Sequence, residues 1–147
     1  MKAKSLTLLL IFSVIFGISA VAQSTKENRE IGSFRKISAS EDSDTHIGNL
    51  TVAETTSISS SGSADCTIKN LKTNNCNLSS SGGSDLKIGL EVSGNLSISA
   101  LDGSDINLSG KANQVSVSAS GGSDVYIKNL TYNQLDSKKS GGSDIHK

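Results

Sequence analysis

The residues best placed to do chemistry are six aspartates that recur almost evenly along the chain. They are Asp44, Asp65, Asp85, Asp105, Asp124 and Asp144, spaced 21, 20, 20, 19 and 20 residues apart. Each closes a short turn-like segment. The segment reads Ser-Gly-Gly-Ser-Asp at Ser81–Asp85, Ser120–Asp124 and Ser140–Asp144, with looser copies ending at Asp44, Asp65 and Asp105. If successive units stack, Asp65, Asp85, Asp105, Asp124 and Asp144 form a carboxylate strip with neighbours about 5 Å apart. Like charges at that distance repel. Such a strip either points into water and accepts turn amides, or takes an oxygen-seeking ion such as Ca²⁺. The Gly-Gly-x-Asp flavour is shared with calcium-binding nonapeptide repeats, but a 20-residue period is not theirs. No cofactor is therefore expected, with weak Ca²⁺ binding at the strip as the alternative.

The second candidate is the cysteine pair, Cys66 and Cys76. Two cysteines in an exported chain suggest a disulfide. Their places in the repeat put both inward from opposite strands of one coil, farther apart than a bridge allows unless the coil is flattened. Two buried thiols and a bridge both remain open on these grounds. His46 and His146 share one repeat position but lie five coils apart, too far to share a metal. Asp102 beside Asp105 puts two carboxylates in one turn, and nothing basic stacks beside it. Lys87 and Lys111 are the nearest basic residues, and no Ser/His/Asp or Cys/His arrangement is assembled. No catalytic residue is assigned, and the protein is expected not to be an enzyme.

Positioning these residues requires a repeat architecture. After each aspartate the first and third residues are mostly apolar, as in Leu86 and Ile88, Ile106 and Leu108, Val125 and Ile127. An Asn-Leu pair often follows, as at Asn49-Leu50, Asn70-Leu71 and Asn129-Leu130. A second alternating pair then closes the unit, as in Cys76 with Leu78, or Leu96 with Ile98. Apolar/polar alternation is the period of a half-buried strand. Each unit is therefore expected to run strand, turn, strand, turn, and to form one coil of a single-stranded parallel β-helix. Leu86, Ile106, Val125 and Ile145 should stack in one apolar column, and Ile47, Ile68, Ile88, Leu108 and Ile127 in the next. Gly89-Leu90 and Ser109-Gly110 replace the Asn-Leu corner in two units, so those corners should differ in shape.

Composition agrees with a thin core. Apolar residues make up 35% of 147 and aromatics 3%, which alone would suggest disorder, yet the apolar residues fall at inward positions. There is no proline to interrupt a ladder. Lysine and arginine balance aspartate and glutamate at 14 each, so no basic field exists to recruit nucleic acid.

Met1–Ala22 has the form of a signal peptide: Lys2 and Lys4, an apolar Leu6–Ile18, and Ala20-Val21-Ala22 as an A-x-A site. Cleavage between Ala22 and Gln23 is expected, with no membrane insertion afterwards, since the apolar run is shorter than the ~20 residues of a span. Residues 23–30 should be a flexible N-terminus and residues 31–147 the β-helix. Within it, Ile31–Ser38 is expected to be an extra strand whose Phe34 and Ile37 plug the end of the core. The chain stops at Ile145-His146-Lys147, one strand into a new coil. That leaves either an exposed last edge or a longer natural protein.

The signal peptide, the opening Gly32-Ser33-Phe34-Arg35-Lys36-Ile37 and the repeated Ser-Gly-Gly-Ser-Asp-apolar-x-Ile turns together resemble the head GIN domain family of auto-transporter adhesin heads, common in Bacteroidetes. The resemblance spans about Ile31–Lys147. It implies a right-handed parallel β-helix of the pectate-lyase-like superfold and an extracytoplasmic place, whether periplasm, outer-membrane surface or extracellular space. It brings no catalytic residues. The expectation is a non-enzymatic secreted or cell-surface protein, an adhesin binding polysaccharide or a cell-surface protein. A second reading is an envelope assembly protein that forms a homo-oligomer through exposed β-edges. A third, by fold analogy alone, is a carbohydrate-active enzyme.

Overall fold

A computed structural model describes residues 36–147. The expected signal peptide, its Ala22–Gln23 cleavage site, the flexible 23–30 segment and the plug residue Phe34 lie outside these residues. The described residues hold seven strands and no helix: β1 (Lys36–Ala39), β2 (Thr45–Ser60), β3 (Asp65–Ser80), β4 (Asp85–Ala100), β5 (Asp105–Ala119), β6 (Asp124–Lys139) and β7 (Asp144–His146). Each strand pairs in parallel with the next, in chain order. The result is a parallel β-solenoid of about six turns, the architecture that the repeat implies.

The expected columns are present. Cys66, Leu86, Ile106, Val125 and Ile145 stand in register, as do Ile47, Ile68, Ile88 and Leu108, while Ile127, expected next in that column, falls at the register shift between Asn107 and Ser109 and is still buried. Most of these side chains are fully buried, including Leu86, Ile88, Ile106 and Val125. Ile37 in β1 pairs with Ile58 and is buried at the first described end of the core.

One expectation is corrected. A coil is not two strands separated by a turn: from aspartate to the last inward residue it is one continuous strand of 15 or 16 residues. The chain bends without leaving the ladder. In β3 the alternation of inward and outward residues slips twice, at Lys69-Asn70 and at Asn74-Asn75, where two neighbours both face out. These slips divide the strand into three inward runs: Cys66 with Ile68, Leu71 with Thr73, and Cys76 with Leu78 and Ser80. Each coil is therefore three-faced. The middle run hides in the sequence because its second column is chemically mixed: Val52, Thr73, Val92, Ala112 and Tyr132 stand in register there. Thr73 is buried as a polar residue, and its hydroxyl meets that of Thr56 at 3.2 Å, which satisfies it inside the core.

The irregular corners differ as expected. Register shifts fall between Ile68 and Leu71, where β4 has Ile88-Gly89-Leu90 and one residue fewer, and between Asn107 and Ser109. Gly110 replaces leucine in its column, and a Cβ there would overlap the Leu90 carbonyl oxygen. The backbones of successive coils pack too closely at that corner for any side chain.

In the last full coil the third run changes character. Ser137 stands opposite Val117 and Lys139 opposite Ala119. Lys139 Nζ donates to Asp144 Oδ1 at 2.6 Å, and Lys147 Nζ donates to Ser137 Oγ at 3.0 Å. Charged side chains at such positions oppose further strand addition.

Candidate functional site

The turns show how aspartate and serine divide their work. In the turn from β3 to β4, Ser84 Oγ accepts from the Ser81 amide at 3.2 Å and donates to the Ser81 carbonyl at 2.8 Å. Ser104, Ser123 and Ser143 accept the equivalent amides of Leu101, Ser120 and Ser140, each at 3.2 Å. These four hydroxyls are buried. The turn amides are thus shared between carbonyl oxygens of the preceding coil and the serine before each aspartate, and are not held by the aspartate itself.

That frees the carboxylates to face outward, where Asp65, Asp85, Asp105, Asp124 and Asp144 stand in register. Asp44 precedes the paired segment of its strand and does not join the ladder. The ladder is tied along its own length. Asp124 Oδ1 accepts the Asp144 amide of the next coil at 3.2 Å, and Asp85 likewise accepts the Asp105 amide. Partial burial, then the neighbouring charges of Asp65 and Asp105, push the Asp85 carboxyl above its ordinary value, against the opposing effect of that amide. At the far end, the hydrogen bond and charge of Lys139 hold Asp144 below the ordinary value. Among the described residues no three His, Cys, Asp or Glu side chains converge in a way that could hold a metal ion. The strip is a solvated ladder whose members bond to their neighbours' backbone.

Cys66 and Cys76 are both buried, free thiols. Burial raises their pKa to about 11 and about 12, so neither is a thiolate at neutral pH and neither is poised for nucleophilic work. His46 and His146 do not meet; His146 instead stacks on Tyr126, with ring centroids 4.4 Å apart and planes 7° from parallel.

The feature that residue-by-residue reading missed lies on the middle face. Five three-residue segments line up across β2 to β6: Thr51-Val52-Ala53, Lys72-Thr73-Asn74, Glu91-Val92-Ser93, Lys111-Ala112-Asn113 and Thr131-Tyr132-Asn133. In the first four the central residue is buried and both flanks are exposed; Tyr132 is half-buried. The outward columns form two walls, and the backbone of the turned-in central residues forms the floor between them. The furrow encloses about 620 Å³. At the spacing of paired strands it is about 19 Å long, and its walls are about 7 Å apart. It runs along the solenoid axis.

The two walls differ. One is long and charged, built from Thr51, Lys72, Glu91, Lys111 and Thr131, with Lys72 paired to Glu91 at 3.4 Å. The other is short and rich in amides. Ser93 Oγ donates to Asn74 Oδ1 at 2.9 Å, and Asn133 Nδ2 donates to Asn113 Oδ1 at 2.8 Å. These bonds fix the amide wall while leaving further donors and acceptors facing the furrow. The third face carries a smaller furrow of about 230 Å³, walled by Asn95, Gln114, Gln134 and Asp136 on one side and by Ser97 and Ser116 among its outward residues. The sequence did carry a signal for the furrow: a triplet with an inward centre that begins six or seven residues after Asp44, Asp65, Asp85, Asp105 and Asp124.

Among the described residues no helix is long and apolar enough to cross a membrane. A search of characterised proteins and of solved structures finds no match. The family described as "Putative auto-transporter adhesin, head GIN domain" matches residues 26–146. With that span covering most of the chain, and with the solenoid built from the same turns, the protein belongs to the head GIN domain family.

Proposed function

We propose that this protein is an exported, non-enzymatic binding head whose ligand-binding surface is the furrow on the middle face. One observation carries the reading. Five coils carry ten outward residues that form two chemically distinct walls the core does not need. Positions 51, 53 and their equivalents are exposed in every coil, so the core leaves them free to vary. They nonetheless supply amides, hydroxyls and charges along one continuous track, with the Tyr132 ring half-exposed at its end. A track of polar groups with an aromatic ring at its end suits an extended polar ligand.

The family's description as an adhesin head supports a surface or secreted setting, and the leader-like Met1–Ala22 supports export. The absence of catalytic function is part of this proposal and rests on the side chains present. The cysteines are protonated and buried, and the aspartate ladder bonds to its own backbone. The furrow pairs its one carboxylate with Lys72.

The test is a panel of immobilised polysaccharides and extracellular-matrix proteins, probed with the purified chain and with Ser93→Trp, which fills the furrow from an exposed position. The proposal expects binding by the parent chain and its loss in Ser93→Trp with an unchanged circular-dichroism spectrum. Equal binding by both chains, or no binding to any member of the panel, would refute it.

A further inference from the structure

The charges along the furrow are unequal, and this narrows the ligand. Two lysines and one glutamate stand on its long wall, one per coil in register: Lys72, Glu91 and Lys111. Glu91 is engaged by Lys72 at 3.4 Å. Among the described residues Lys111 has no ion-pair partner. Its coil carries Ala112 at the inward position and Gly110 in a column of leucines. Across the furrow stands Asn113, whose amide oxygen is already bonded to Asn133. The Asn113 amide nitrogen remains to donate. A cation and an amide donor thus face each other across a gap of about 7 Å.

Resting on the binding reading above, we infer that the furrow takes a linear acidic polysaccharide along the solenoid axis, with a uronate carboxylate seated on Lys111. Three features of the chemistry agree. A carboxylate is the complement of an unpaired ammonium flanked by an amide donor. An extended β-linked pyranose chain advances per residue by nearly the step between coils, so successive sugars meet equivalent wall positions. The half-exposed Tyr132 ring suits the carbon-bearing face of a sugar ring, while the walls suit the hydroxyls. A neutral chain would leave Lys111 unmatched.

The experiment is isothermal titration of the full chain with β-linked hexamannuronate and with the same hexasaccharide after carboxyl reduction, both in EDTA so that no divalent ion bridges them. The acidic chain should bind about ten-fold or more tighter than the neutral one, and the difference should shrink as salt is added. Lys111→Gln should bring the acidic chain down to the neutral level. Lys87→Gln, an exposed lysine on another face, should leave both affinities unchanged. Equal binding of the two hexasaccharides, indifference to Lys111→Gln, or no binding of hexamannuronate each overturns the inference. The underlying reading survives those outcomes if Ser93→Trp still abolishes capture on the wider panel, and falls with the inference if it does not.

Discussion

Ser123 Oγ donates to the Ala100 carbonyl oxygen at 3.0 Å, joining the turn after β5 to the end of the coil before it. Ser104 makes the same link to Ser80 at 3.1 Å, and Ser143 to Ala119 at 2.9 Å. A buried hydroxyl at this position therefore closes its own turn and stitches two coils together. Ser123→Ala should lower stability by about 1 kcal/mol, the usual net contribution of such a bond, measured as a shift in the denaturant midpoint. The loss stays modest because the Ser120 amide already donates to the Ala100 carbonyl at 3.0 Å, leaving both groups partnered. Ala64, fully buried at the same position of an earlier turn, shows that the site accepts a methyl group. Ser123→Val should cost more, since the added methyls have no space to enter.

Two glycines in identical motifs should respond differently to the same change. Both Gly83 and Gly122 are the second glycine of Ser-Gly-Gly-Ser-Asp. Gly122 has φ +78, whereas Gly83 is not in the left-handed region. A Cβ on Gly83 would lie 3.9 Å from its nearest neighbour, and one on Gly122 would meet nothing within 4 Å. Space is equal, so backbone conformation alone decides. Gly83→Ser should be tolerated, as Ser63 is at the equivalent place. Gly122→Ser should cost about 1 to 2 kcal/mol, the left-handed penalty of an L-residue. Paired thermal melts of the two variants check this.

Asp85 carries a pH signature. Its carboxyl is raised in the folded chain, so the folded state holds its proton more tightly than the unfolded state does. The associated stability is complete below the unfolded value of 3.8 and is lost as pH rises through the folded value. Asp85→Asn removes the repulsion from Asp65 and Asp105 and keeps an oxygen for the Asp105 amide. At neutral pH it should raise stability by roughly a few tenths of a kcal/mol, since exposure to water screens the effect. Below about pH 4 the gain should vanish, because the parent carboxyl is then neutral. Melting temperatures of the two chains at neutral pH and at pH 3 give the comparison.

The cysteines should be silent until the fold opens. With their thiols raised to about 11 and about 12 by burial, native protein at pH 8 should take up no alkylating reagent without reductant. Denatured protein should take up two equivalents, read by intact mass. Uptake of none after denaturation would reveal a bridge between Cys66 and Cys76.

Much of this architecture was legible because stacked residues must repeat. The columns through Leu86 and Ile88 carry aliphatic residues in nearly every coil, so periodicity alone located them. The middle run escaped because its inward column mixes Val52, Thr73, Ala112 and Tyr132, and a buried threonine reads as an outward residue until its partner Thr56 is seen. The furrow escaped with it, since its walls are defined by that run. The aspartates attracted attention as the charged members of the motif. Yet the buried serine one residue earlier holds the turn, and only hydrogen-bond geometry separates the two. Gly83 and Gly122 mark a firmer limit: identical pentapeptides adopt different φ because their neighbouring coils differ.

The central claim is that ligands lie in the furrow, and the most direct measurement is backbone-amide NMR of the full chain during titration with hexamannuronate. The account predicts shifts confined to the five triplets from Thr51–Ala53 to Thr131–Asn133, largest around Lys111 and Asn113. Shifts gathered on the aspartate ladder or around Ser97 and Ser99 on the third face, or no shifts at saturating ligand, would contradict it.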